Sequence, residues 1–140
     1  MDEGVASYHM LEAGCKVVGI DVRDDKLDKG LRDKDGFVFL NKSSLDCQED
    51  LQSLVNEYGP IGLVYQDSSH HYLESKKEWE LISPLCKEGA IWICDDITPD
   101  FYDEKIDPPI RGCANILKRY RDHIKSYIKT FCIMVIVKEL

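Results

Sequence analysis

Residues 61–96 read IGLVYQDSSHHYLESKKEWELISPLCKEGAIWICDD, and their patterning decides the fold. Ile61 to Tyr65 is a short apolar run introduced by Gly59-Pro60, so it predicts a strand, and it ends in the polar cluster Gln66-Asp67-Ser68-Ser69-His70-His71. From Tyr72 the pattern turns helical, with Trp79, Ile82 and Cys86 on one face, until Pro84 and Gly89 close the element. Ala90 to Cys94 is the next strand, and it ends in acid, Asp95-Asp96. Strand, helix, strand over so short a span predicts a crossover between parallel neighbours.

The same alternation extends in both directions. Lys16 to Val22 (KVVGIDV) is a β-branched run that carries an acid near its end and is followed by the charged segment 23–29. Phe37 to Leu40 predicts another strand, followed by Asn41-Lys42-Ser43-Ser44 and a helix on which Leu51, Leu54, Val55 and Tyr58 recur. Asp46 and Glu49 resemble a capping box at its start. Beyond Asp96, a proline-containing loop from Asp100 to Pro109 has the length of a lid. A last helix is outlined by Ile110, Leu117, Ile124 and Ile128, and one final strand by 131–137. Repeated βαβ units predict an α/β, Rossmann-like, mostly parallel sheet with flanking helices, in a single domain over residues 1–140. Ligands of such sheets bind beyond the carboxyl ends of the strands, where Asp21, Ser44, Asp67, Asp95 and Asp96 all fall.

Composition narrows the partners. A net charge of −8 disfavours a protein that tracks nucleic-acid phosphates, and Lys118, Arg119 and Arg121 alternate with apolar residues as a solvated helix face does. A small-molecule partner fits better. The six cysteines form no C-x-x-C pair, which predicts reduced thiols rather than a zinc site, with Cys94 and Cys132 inside apolar runs. The sequence contains neither a secretory leader nor an apolar run near 20 residues, so the expectation is a cytoplasmic chain with no membrane partner.

Each polar residue at a strand end has two readings. Asp21 is placed to accept hydrogen bonds from the ribose hydroxyls of a nucleotide-like cofactor, or it is a solvated loop aspartate. Asp67, Asp95 and Asp96 leave the ends of two neighbouring strands and form an oxygen-only set suited to Mg²⁺, or they face water separately. His70 and His71 lie three and four residues beyond Asp67, and either one can serve as a proton acceptor or as a cap of the following helix. Tyr72 and Lys76 match the Tyr-x-x-x-Lys pair of short-chain dehydrogenases, but they follow a strand end too closely and no glycine-rich nucleotide loop opens the chain.

Taken together, VVGIDV at 17–22, LVYQDSSHHY at 63–72, SPLCKEGAIWICDDI at 83–97 and the PPIRGCANILKRY that follows resemble class I S-adenosylmethionine-dependent methyltransferases. The resemblance is nearest to the metal-dependent small-molecule O-methyltransferases and the cephalosporin hydroxylase-like group, and it runs from about Gly4 onward. It implies S-adenosylmethionine as cofactor and Mg²⁺ or a similar divalent cation. By position it further implies that Asp21 binds the cofactor ribose, that Ser44 lies near the adenine, that Gly4 and Asp67 belong to the cofactor side, that Asp67, Asp95 and Asp96 are the metal-binding acids, and that His70 or His71, with Asp67, serves catalysis. The function so implied is methyl transfer to a hydroxyl of a small molecule.

The sequence departs from the family at both ends. The first strand and its G-x-G turn would precede Gly4, and Met1-Asp2-Glu3 does not supply them, so residues 4–13 read as the helix after that turn in a fold truncated at its N-terminal side. Such a strand lies mid-sheet, and a chain without it leaves two strand edges to be covered, which makes a homo-oligomer an expectation. The C-terminal end shows one strand where the family has an antiparallel pair. The alternative reading is a non-catalytic methyltransferase-like domain used for binding or oligomerisation. A nicotinamide-dependent oxidoreductase fits Asp21 alone.

Overall fold

The computed structural model describes residues 4–25, 27–68, 72–95, 102–103, 110–111, 120, 122, 124–129 and 134–138. The chain packs as two compact units, Met1–Cys47 and Gln48–Leu140. Among the described residues no helix is long and apolar enough to cross a membrane.

The first unit is built from α1 (Val5–Glu12), β1 (Val17–Ile20), α2 (Lys29–Arg32) and β2 (Phe37–Leu40). β1 and β2 pair in parallel, Val17 opposite Phe37 and Ile20 opposite Leu40. Their inward side chains, Val17 and Phe37, form a core with Leu27 and the fully buried Leu31, against which Tyr8, Met10, Leu11 and Phe39 pack. Burying a leucine completely contributes roughly 1.5–3 kcal/mol. Gly4 opens α1 at φ +75, and a Cβ there would stand 2.4 Å from Leu31 Cδ2. Only a glycine satisfies both the left-handed backbone and that approach. The charged segment 23–29 leads into the helical turn α2, which Asp28 caps: its Oδ1 accepts from the N–H of Gly30 at 2.7 Å and of Leu31 at 3.2 Å.

The second unit contains α3 (Gln48–Tyr58), β3 (Ile61–Gln66), α4 (Tyr72–Ile82), β4 (Cys86–Cys94), β5 (Tyr102–Asp103), β6 (Ile110–Arg111), β7 (Ile124–Lys129) and β8 (Met134–Lys138). Four strands form one sheet in the order β3-β4-β8-β7. The β3–β4 pairing is parallel, as the strand–helix–strand pattern predicts, with Tyr65 opposite Ile93 and Gln66 opposite Cys94. The register jumps from Ile61 opposite Cys86 to Leu63 opposite Ile91, and Gly89 at φ +71 absorbs the extra residues of β4. β8 is antiparallel to both β4 and β7. Trp79 from α4 packs on Trp92 of β4 with ring centroids 4.7 Å apart, and Ile82, Cys86, Ala90, Cys94 and Ile124 of this unit are buried as well. The described cysteines, 15, 47, 86 and 94, are all free thiols, and Cys94 is fully buried.

Four expectations are corrected. The helix outlined through Ile124 and Ile128 gives way to β7, because β8 offers a ladder to pair with, in a register that shifts between Ile124 and Ser126. The C-terminal end therefore supplies an antiparallel pair rather than one strand. Asp46 does not cap α3: it lies in a 3₁₀ turn, Ser44–Asp46, whose cap is Ser43. Ile110, read as the start of the last helix, lies instead in β6, which pairs antiparallel with Tyr102–Asp103. Lys118, Arg119, Arg121 and Cys132 lie outside the described residues.

Candidate active site

In the first unit, Asp21 follows β1 directly and is held at the strand end by the ladder. Its N–H donates to the Leu40 carbonyl at 3.2 Å, and Asn41 Nδ2 donates to the Asp21 carbonyl at 3.0 Å. The Asp21 side chain is organised as well, with Oδ1 accepting from the Arg23 N–H at 2.9 Å. Partial burial opposes ionisation of this carboxyl, but hydrogen bonds donated to it, the Arg23 N–H among them, and nearby positive charge together outweigh that cost and hold its pKa below the usual aspartate value. It is an anchored, ionised acceptor at a strand end. Ser44 begins the 3₁₀ turn after β2 and is half-buried, steered by Ser43, whose Oγ accepts from the Leu45 N–H at 3.3 Å. Gly4 has the structural duty already described, close contact with Leu31.

In the second unit, Asp67 and Asp95 each follow the last paired residue of a strand, β3 and β4, and those strands are parallel neighbours. The Asp95 N–H donates to the Gln66 carbonyl at 3.0 Å, so the two acids leave the sheet from adjacent positions. The Tyr65 hydroxyl, carried on β3, donates to Asp95 Oδ2. Asp67 is exposed and Asp95 half-buried. Two carboxylates on adjacent strand ends are the donors that a hard cation takes, and they fit Mg²⁺ better than zinc. Among the described residues no three His, Cys, Asp or Glu side chains gather around one point. Asp96, His70 and His71 lie outside the described residues.

Beneath Asp67 is a buried polar chain that patterning alone does not reveal. Trp92 Nε1 donates to Gln66 Oε1 at 2.8 Å, Gln66 Nε2 donates to Glu78 Oε2, and Ser68 Oγ donates to the same Glu78 oxygen at 2.7 Å. Gln66, Glu78 and Trp92 are all buried. The indole has only a donor to offer, which turns the Gln66 carbonyl toward it and the Gln66 amide toward Glu78. The signal available in the sequence was Ser75, Glu78, Trp79 and Ile82 at helical spacing, two polar residues on the stripe that packs inward.

Comparison with solved structures decides the architecture. Over 99% of its length the chain superposes on the MycE methyltransferase of the mycinamycin biosynthetic pathway, in complex with Mg and SAH, with a TM-score of 0.70 and 17% sequence identity. The fold is methyltransferase-like. A second crystal form of the same complex gives a TM-score of 0.70 at 17% identity over 99% of the chain, and the complex with Mg, SAH and mycinamycin VI gives 0.64 at 18% over 89%. The chain spans 36–42% of the length of these solved structures. By sequence it matches no family model and no curated protein.

Proposed function

We propose that this chain binds S-adenosylmethionine and a divalent cation such as Mg²⁺ and serves methyl transfer to a hydroxyl of a small molecule. The observation that carries the reading is the emergence of Asp67 and Asp95 side by side from parallel β3 and β4, in a fold shared with a methyltransferase crystallised with Mg and SAH. Asp21, ionised and fixed at the end of β1, is suited to accept hydrogen bonds from both ribose hydroxyls, and Ser44 to border the adenine. Asp67 and Asp95, with Asp96, would hold the cation. When bound there, the cation supplies charge that orients a substrate hydroxyl and lowers its pKa.

The reaction asks for positioning and one proton transfer. As the substrate oxygen bonds to the methyl carbon, the carbon–sulfur bond breaks, sulfur keeps the electron pair, and the hydroxyl proton passes to a base, for which His70 or His71 is our candidate. A rigid acceptor such as Asp21 lowers the entropic cost of binding the cofactor.

Separate titrations of the folded chain with S-adenosylhomocysteine and with Mg²⁺ test this division of labour. Asp21→Asn is expected to weaken nucleoside binding about tenfold, the loss of one charge-assisted hydrogen bond of about 1.5 kcal/mol, and to leave Mg²⁺ binding unchanged. Asp95→Asn is expected to do the reverse. Variants that weaken both ligands equally, or neither, would contradict the assignment. A folded wild-type chain that binds neither ligand would favour a non-catalytic binding domain.

A further inference from the structure

We propose that Glu78 is a positioning residue for Asp67, acting through the two residues that flank it. This rests on the reading of Asp67 as a cation-holding acid. Glu78 projects from α4 into the unit and is 4% exposed, and its Oε2 accepts from Gln66 on one side of Asp67 and from Ser68 on the other. Asp67 is thus the middle residue of a three-residue arch whose feet share one carboxylate oxygen. The Gln66 foot is secured further by Trp92 Nε1 at 2.8 Å, and Trp92 itself packs on Trp79, the neighbour of Glu78 in sequence.

The physical argument turns on cost. A carboxylate buried to this degree is expensive to desolvate, and a helix that needed only packing would carry an apolar residue here. What the carboxylate adds is direction. Gln66 belongs to β3, whose backbone is already fixed by pairing with β4, but Ser68 lies beyond the last ladder contact and is exposed. The bond from Ser68 Oγ to Glu78 therefore fixes the chain just after Asp67, where the sheet no longer does, and narrows the directions open to the Asp67 carboxylate. Partners that orient a ligating carboxylate in this way commonly change cation affinity 10–100-fold when removed.

The test uses Tb³⁺ as an oxygen-seeking probe, excited through the aromatic residues of the sheet, with Mg²⁺ competition to read affinity and a thermal melt to read folding. Ser68→Ala removes one foot of the arch and one donor from the buried Glu78, so the chain is expected to fold with a somewhat lowered melting temperature while cation affinity, measured well below that temperature, falls about tenfold or more. Ser68→Thr keeps the hydroxyl and is expected to restore affinity, which a purely structural role would not require. Glu78→Gln keeps the shape of the side chain and should weaken the cation at least as much as Ser68→Ala. If the wild type binds Tb³⁺ and folded Ser68→Ala binds it equally well, the positioning role is overturned while the cation reading stands. If the folded wild type binds no cation, both are overturned.

Discussion

Two residues show how much of this molecule is decided atom by atom. Gly4 holds φ +75 with Leu31 Cδ2 2.4 Å from where a Cβ would stand, so Gly4→Ala combines backbone strain with a core clash. It should destabilise the protein by about 1–3 kcal/mol, visible as a lowered denaturation midpoint; an unchanged midpoint would contradict this packing. Asp21 makes a pH-dependent prediction. Its folded pKa lies below the ordinary value, so the ionised carboxylate contributes stability above about pH 4 and loses that contribution as the pH falls through the lower folded value. The stability gap between wild type and Asp21→Asn is therefore expected to stay level from neutrality to about pH 5 and to close in stronger acid. Chemical denaturation across that range checks it, and a gap that widened in acid would reverse the sign.

At the scale of elements, the ladder sets local stability. β4 is flanked by β3 and β8, so amides of Ile91, Trp92, Ile93 and Cys94 should exchange with solvent more slowly than those of β7, which ends the sheet. The α2 turn depends on one side chain, and Asp28→Ala should cost about 1 kcal/mol through its lost cap, with the Tyr8 hydroxyl losing its acceptor as well. What was legible in the sequence follows the same logic. β2 reads off residue for residue and β1 and β3 within a residue or two, because short apolar runs bounded by turn residues have few other uses, whereas β4 is read only from Ala90 and starts four residues earlier, at the Cys86 assigned to the preceding helix face. The segment 124–129 misleads because Ile124, Tyr127 and Ile128 recur at helical spacing, and only pairing with the partner strand overrides that period. The strand-end acids could be found by position, since Rossmann-type sheets gather ligands there. The arch under Asp67 could not, because it depends on which way Glu78 and Gln66 turn, and no sequence period encodes that.

At the scale of the whole molecule, the chain carries parallel pairings in two separate sheets, with β1 bonded only to β2 and β3 only to β4 among the described residues. β3 is an outer strand of its four-stranded sheet, and an outer strand is where a second chain can add to a sheet. Leu63 of β3 is 38% exposed, and we expect Leu63→Lys to reduce any concentration-dependent association measured by sedimentation without changing the fold, as charges on natural strand edges do. Association unaffected by that charge would remove the β3 edge as its cause. The central claim concerns ligands, and calorimetric titration of the folded chain with S-adenosylhomocysteine, with and without Mg²⁺, tests it most directly. The account predicts saturable one-to-one binding of the nucleoside together with a separate, saturable Mg²⁺ isotherm that Asp95→Asn weakens. Heats no larger than dilution for both ligands, from a chain with a cooperative melt, would contradict it.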